Sequence, residues 1–233
     1  MTMIGDNLQT VRVRIAAACQ AALRDAGAVT LLAVSKTFGP EAVREAFAAG
    51  QTSFGENYLQ EALDKMSALR DLPLQWHCIG PIQSNKTRLV AGHFSWAHTI
   101  DRLRIAQRLS EQRSPDMEPL QVCVQVNIDA GPTKSGVALQ DALSLVREVA
   151  KLPRLQVRGL MTIPEPSAHF QGQMAAHAKA RILFDEIAAA GGHGLDHFDT
   201  LSMGMTADLE AAIQAGSTMV RVGSAIFGGR PKP

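Results

Sequence analysis

A lysine stands just past an apolar run. Val29–Val34 reads as a buried strand, and "AVSKTFGPEAVREAF" at 33–47 carries Lys36 where that strand ends. An amine in a desolvated mouth can attack a carbonyl once enough of it is neutral. Moving a lysine from its ordinary pKa of about 10.4 to near 7 takes roughly 4 kcal/mol of preference for the neutral form. Partial burial and a nearby cation supply that kind of preference. A solvated strand end is the plainer reading of the same residue.

The cation is available near the other end of the chain. Arg221 lies inside the apolar stretch "MVRVGSAIFGG". An arginine there must face an interior partner, because an unpaired buried charge is very costly. Two neighbouring stretches suit an anion. "SMGMTADLEAAI" places Thr206 as the expected N-cap of a helix, and "RVGSAIFGG" puts Gly223 and Ser224 at a strand end. Helix N-terminal N–H groups and hydroxyls bind phosphate, and glycine lets the backbone approach. An ordinary helix cap is the alternative for Thr206. Asn57, His77, Asn127 and Ser202 are further polar residues at or near predicted strand ends.

Other patterns carry less. His193 and His197 have H-x-x-x-H spacing in a glycine-rich loop, without the H-E-x-x-H of a zinc site. "GPTKSG" at 131–136 lacks the G-x-x-x-x-G-K-[ST] phosphate loop. No G-x-G-x-x-G or G-x-S-x-G is present.

These residues need a frame that brings them together. A first helix is expected from Asp6, with Gln9 in capping-box spacing, a face of Leu8, Val11, Ile15, Ala18 and Ala22, and Gly27 at its end. Strands are then expected at Val29–Val34, Thr52–Phe54, Leu74–Ile79, Phe94–Thr99, Gln121–Ile128, Leu155–Ile163, Leu201–Met205 and Met219–Phe227. Helices are expected between them: from Pro40 to Gly50, through Glu61, Leu63 and Met66, at Ser84–Val90, from Asp101, and at Leu139–Ala150, Met174–Ala190 and Ala207–Ala215. Short continuous apolar runs suit parallel strands covered on both faces. Eight such units point to a single α/β domain over 1–233, a closed (β/α)8 TIM barrel with an extra N-terminal helix over the place of the missing last helix. A doubly wound open sheet is the alternative. In the barrel, working residues gather at the C-terminal ends of the strands.

The chain has 233 residues, 46% hydrophobic and 19% charged, enough to bury a sizeable core. Its net charge of +1 gives no field to steer nucleic acid or anionic membranes. No apolar run approaches the length of a membrane span. The three cysteines, Cys19, Cys78 and Cys123, are widely spaced and odd in number, as expected of a reduced, cytoplasmic protein. Asp6, Arg12 and Arg14 in the first helix argue against a signal peptide.

Taken together, "AVSKT" at 33–37, "FGENYLQEA" at 54–62, "WHCIGPIQSNK" at 76–86, "VNIDAGPTKSG" at 126–136, "LSMGMTADLEAAI" at 201–213 and "VRVGSAIFG" at 220–228 resemble the YggS/PROSC family of pyridoxal 5′-phosphate homeostasis proteins. The resemblance runs from about residue 29 to 228. It implies a barrel like the N-terminal domain of alanine racemase, with the cofactor bound as an aldimine on Lys36. It further implies that Arg221 faces the pyridine nitrogen and leaves it unprotonated, that Thr206, Gly223 and Ser224 cradle the phosphate, that Ser202 and Met203 line the site, and that Asn57 lies near the ring substituents, with His77 close by. The loop after the fifth strand lacks the acidic residue expected shortly before Lys134.

The expected function is a carrier or regulator of pyridoxal 5′-phosphate without dedicated catalysis. Apo forms of enzymes that use the cofactor are the expected partners, and the chain is expected to be a monomer. In the racemases a tyrosine from a second domain serves the other substrate face, and Tyr58 is the only tyrosine here. A racemase-like enzyme on the same lysine is the alternative. A Schiff-base aldolase acting on a phosphorylated sugar is a third possibility.

Overall fold

The computed structural model describes residues 2–131 and 135–229, so Lys134 lies outside the described residues. The strands are β1 (Thr30–Val34), β2 (Ser53–Glu56), β3 (Gln75–Cys78), β4 (Trp96–Ile100), β5 (Leu120–Asn127), β6 (Val137–Ala138), β7 (Leu155–Thr162), β8 (Thr200–Ser202) and β9 (Met219–Val222). The helices are α1 (Met3–Ala21), α2 (Pro40–Ala48), α3 (Leu59–Ala68), α4 (Thr87–His93), α5 (Leu103–Gln112), α6 (Ala142–Ala150), α7 (Phe170–Ala190), α8 (Leu209–Gln214) and α9 (Ser224–Phe227).

All strand pairings are parallel, in the order β4-β3-β2-β1-β9-β8-β7-β5, and a β4–β5 pairing closes the ring. This is a (β/α)8 barrel, as the eight apolar runs predict. The two-residue β6 is an addition beside β5 and was not expected. The apolar core lies between sheet and helices. Val43 and Ala46 of α2, Ile105 and Leu109 of α5, Val146 and Val149 of α6, and Phe184 and Ile187 of α7 are buried there with Phe54, Leu120, Val122, Leu160 and Val220. Trp96, Cys123 and Met161 form a separate buried cluster. Strand alternation puts Trp96 and His98 on one face of β4. The barrel interior therefore mixes apolar and polar groups.

α1 fills the gap beside the last strands. Ile4, Leu8, Val11, Ile15, Ala18 and Cys19 recur at helical spacing and are buried. Polar clamps bind both sides. Arg12 donates to the carbonyl of Ala49 beyond α2, Arg24 to the carbonyls of Ile213 and Ser217, and Asn7 to that of Ile226 in α9.

Several expected boundaries change. α1 starts at Met3, with the Thr2 hydroxyl accepting from the Gly5 N–H, so Asp6 sits in the first turn rather than at the cap. Gly27 lies in a 3-10 turn over Ala26–Ala28 and does not end α1. Thr206 is not a cap either. It lies in a turn before α8, and Asp208 holds the N-cap position. The run Met219–Phe227 is not all strand. β9 stops at Val222, and Ser224–Phe227 forms a helical turn that buries Ile226 and Phe227. Phe227 stacks on Phe38 with centroids 5.3 Å apart, so its apolarity serves helix packing rather than strand extension.

Candidate functional site

A cavity of about 310 Å³ opens at the C-terminal ends of the strands. Lys36, Asn57, Thr206, Arg221, Gly223 and Ser224 line it, together with Val34, Phe38, Ile79, Ile163, Met205 and Ala207. Residues far apart in sequence thus share one mouth, of a size suited to a small ligand.

Lys36 follows β1 by two residues, in a tight turn closed by the Phe38 N–H on the Ser35 carbonyl at 3.1 Å. Thr37 has φ of +70°. Backbone of this kind costs a β-branched residue on the order of 1–3 kcal/mol. Asn57 comes directly after β2, and Gly80 lets β3's exit pass against it. A Cβ on Gly80 would stand 2.3 Å from the Asn57 carbonyl oxygen. The side-chain Oδ1 of Asn57 is buried without a hydrogen-bond partner among the described residues, and so is Thr37 Oγ1. Buried acceptors left unmatched are unusual and suit a ligand donor.

Opposite stand Arg221 and the two hydroxyls. Arg221 Nη1 donates to Ser202 Oγ and Nη2 to the Thr162 carbonyl, each at 2.9 Å. Burial lowers its pKa to about 10, so it stays a cation at neutral pH. The guanidinium has five N–H donors, and these two bonds leave others for the cavity. Ser224 Oγ donates to Thr206 Oγ1 at 3.3 Å. A Cβ on Gly223 would meet the Val34 carbonyl at 3.2 Å, so the glycine keeps this strand end close to β1. The turn holding Thr206 is pinned from three sides: Met205 N–H donates to Asp208 Oδ1 at 2.6 Å, His177 Nε2 lies 2.9 Å from Asp208 Oδ2, and Arg14 Nη2 donates to the Thr206 carbonyl. Burial pushes the Asp208 carboxyl up, but the bonds from His177 and Met205 outweigh it and hold the pKa below the ordinary value.

Ser202, Met203 and His77 are buried and stand outside the residues that line the cavity. Two of them form a chain beneath Arg221. His98 Nδ1 is 3.0 Å from Ser202 Oγ, His77 Nδ1 is 2.9 Å from His98 Nε2, and His77 Nε2 is 3.1 Å from Gln75 Oε1. Arginine only donates, so Ser202 accepts from it and can donate to His98. His98 then donates to His77, and His77 to Gln75, with both rings neutral. Burial pushes the His77 pKa down to about 3 and that of His98 well below its ordinary value, the latter helped by His77 and Arg221. His98 was not singled out in the sequence. Nor were Thr37, Ile79, Ile163 and Met205, whose signal is only their place beside strand ends. Among the described residues no group of three His, Cys, Asp or Glu could hold a metal ion. No helix there is long and apolar enough to cross a membrane.

Comparison with known proteins agrees with this geometry. The family model "Alanine racemase, N-terminal domain" matches residues 7–231. The pyridoxal phosphate homeostasis protein of Pseudomonas aeruginosa is 55% identical over 230 residues, covering 99% of this chain and 97% of that protein. Its namesake from Escherichia coli is 49% identical over 233 residues, covering 99% and 98%. The structure of PipY from Synechococcus elongatus with PLP bound is 34% identical, with a TM-score of 0.84 over 97% of this chain and all of that one. Alanine racemase from Corynebacterium glutamicum, 22% identical with a TM-score of 0.66 over 99% of this chain and 61% of that one, shares the fold. A shared architecture, matched along nearly its whole length at these identities, places the chain in the YggS/PROSC family of pyridoxal phosphate homeostasis proteins, built on the alanine racemase N-terminal barrel.

Proposed function

We propose that the protein binds pyridoxal 5′-phosphate, holds its aldehyde as a Schiff base on Lys36, and serves the cell's handling of this cofactor without dedicated catalysis. One observation carries the proposal: the lysine, the asparagine, the arginine and the two hydroxyls line a single cavity. Each fits one part of the cofactor. The Thr206 and Ser224 hydroxyls and Gly223 suit the phosphate. The fixed cation of Arg221 suits an unprotonated pyridine nitrogen, which is an acceptor only. The unmatched Oδ1 of Asn57 suits a donor at the ring edge. Ser202 supports Arg221 from behind through its bond to it, His77 reaches Ser202 through His98, and Met203 is buried next to Ser202 in the chain.

Lys36 supplies the bond. Its amine is the group that would hold the cofactor's aldehyde, with the rest of the lining fixing the ring and the phosphate. What the cofactor supplies when bound is an electrophilic carbonyl conjugated to a ring. The names of the relatives favour homeostasis over catalysis. The lining points the same way. Among its described residues there is no carboxylate, histidine or tyrosine to serve as a second acid or base on the substrate carbon. Arg221, where it faced the pyridine nitrogen, would also make the ring a poorer electron sink. We further propose that one domain spanning 1–233 does this as a cytoplasmic monomer, with apo forms of enzymes that use the cofactor as its partners.

The test is the absorbance of the protein titrated with pyridoxal 5′-phosphate, then borohydride reduction and peptide mapping. A reducible band with the adduct on the Lys36 peptide is expected. An adduct scattered over surface lysines sinks the proposal. Exchange of amino-acid α-protons in deuterated water at the rate of a dedicated racemase would overturn the non-catalytic part.

A further inference from the structure

Beneath Lys36 lies a charge cluster whose own residues are not among those that line the cavity. Lys65 of α3 is buried, and its Nζ donates to three oxygens: the Ser35 carbonyl at 2.7 Å, Glu56 Oε1 at 2.7 Å and Glu61 Oε1 at 2.6 Å. Ser35 Oγ donates to the same Glu56 oxygen at 2.6 Å, and Glu61 Oε1 accepts from the Thr37 N–H at 2.7 Å. Burying this much charge is costly, and general stability alone is a weak reason to keep it.

The geometry has a specific consequence. The bonds fall on the residues immediately before and after Lys36. Ser35 is fixed through its carbonyl and hydroxyl, and Thr37 through its N–H. Thr37 is also the residue with left-handed backbone, a conformation a threonine keeps only when its surroundings impose it. Glu61 and Lys65 stand one helical turn apart on α3, so they act as one rigid bracket.

We infer that Lys65 and Glu61 are positioning residues for Lys36: they clamp the peptide units on both sides of it and so aim its amine into the cavity. Lys65 itself does not compete for an aldehyde. All three of its protons have acceptors, and an ammonium held in this way is no nucleophile. The inference rests on the proposed role of Lys36 and adds how that lysine, among the chain's amines, is presented.

The experiment uses the full chain in four forms: wild type, Glu61→Ala, Glu61→Gln and Lys65→Met. Each is titrated with pyridoxal 5′-phosphate, followed by stopped-flow absorbance at 1:1 cofactor, then reduced and mapped. Glu61 is partly exposed, so its variants are expected to fold even if Lys65→Met does not. Glu61→Ala removes the acceptor of two bonds, from the Thr37 N–H and Lys65 Nζ, and is expected to slow imine formation and weaken binding by about tenfold or more. It should also spread the adduct to other lysines while circular dichroism keeps the wild-type form. Glu61→Gln keeps an acceptor for Thr37 and should restore most of the rate. Lys65→Met, where it folds, should resemble Glu61→Ala. Wild-type rate, affinity and mapping in Glu61→Ala overturn the positioning role and leave the proposed function standing. No Lys36 adduct in the wild type overturns both. Equal losses in the Ala and Gln forms overturn the hydrogen-bond bracket in favour of a bare charge effect.

Discussion

Arg14 of α1 donates from Nη2 to the carbonyl of Thr206 at 3.0 Å, while its Nε and the same Nη2 hold the two oxygens of Glu210 at 2.7 and 2.9 Å. The bond to Glu210 raises the Arg14 pKa, so the cation is present at every working pH. The helix that covers the barrel thereby also braces the turn proposed to hold phosphate. Arg14→Ala should weaken cofactor binding severalfold. The half-exposed ion pair itself contributes only about 0.2–1 kcal/mol to stability. Fluorescence titration and urea unfolding of the same sample separate the two effects. A large stability loss with unchanged affinity would refute the bracing role.

The hydroxyl pair gives a prediction that uses a truncated ligand. Thr206→Val and Ser224→Ala should each weaken binding of pyridoxal 5′-phosphate by about tenfold, as expected for one hydrogen bond to a charged group. Pyridoxal, which has no phosphate, should bind the variants and the wild type alike. Parallel losses for both ligands would place the phosphate elsewhere.

His77 and His98 predict a pH dependence of stability. Their folded pKa values lie below the ordinary 6.5, that of His77 at about 3. Between those values the unfolded chain binds more protons than the folded one, so stability rises with pH. The contribution is whole above about pH 6.5 and drains as pH falls towards about 3, at up to roughly 1.4 kcal/mol per pH unit for each ring. Urea unfolding from pH 7.5 to 4.5 should show this slope. His77→Gln with His98→Gln should flatten it, because neither side chain titrates. An unchanged slope in the double variant would assign the effect to other groups.

Gly80→Ala tests the backbone approach behind Asn57. The new methyl would stand 2.3 Å from the Asn57 carbonyl oxygen and 2.8 Å from its Cα, with only backbone to yield. Overpacking of this kind costs about 1–3 kcal/mol. Because the atoms displaced belong to a cavity residue, cofactor affinity should fall too. Calorimetry of the free and loaded protein measures both.

The strands were legible because buried parallel strands are continuous apolar runs, and "QVCVQVNI" is a clear one. The end of the last run was not. "SAIF" is apolar enough to extend a strand, and only its docking of Phe227 on Phe38 makes it a helical turn. Lys36, Asn57 and Ser224 were legible because a barrel assigns function to strand ends, and Arg221 because a charge inside an apolar run needs an interior partner. His98 was not, since its partners lie 21 and 104 residues away. Nothing in the sequence singles out Lys65, and Glu61 shows there only as part of an expected helix. The burial of Lys65 depends on an acceptor 30 residues back, at Ser35.

The docking of α1 also sets an order of events. Asn7 bonds to a carbonyl 219 residues further along, in the helical turn after the last strand. A ribosome adding about 5–20 residues per second takes on the order of 10–40 s to reach that partner. Throughout this time the apolar stripe of α1 faces no completed surface. Contacts so distant in sequence form slowly and leave a nascent chain exposed to aggregation. The seal between the earliest helix and the last helical turn therefore cannot close before the chain is nearly complete, and a chaperone that shields an amphipathic helix has a defined interval in which to act.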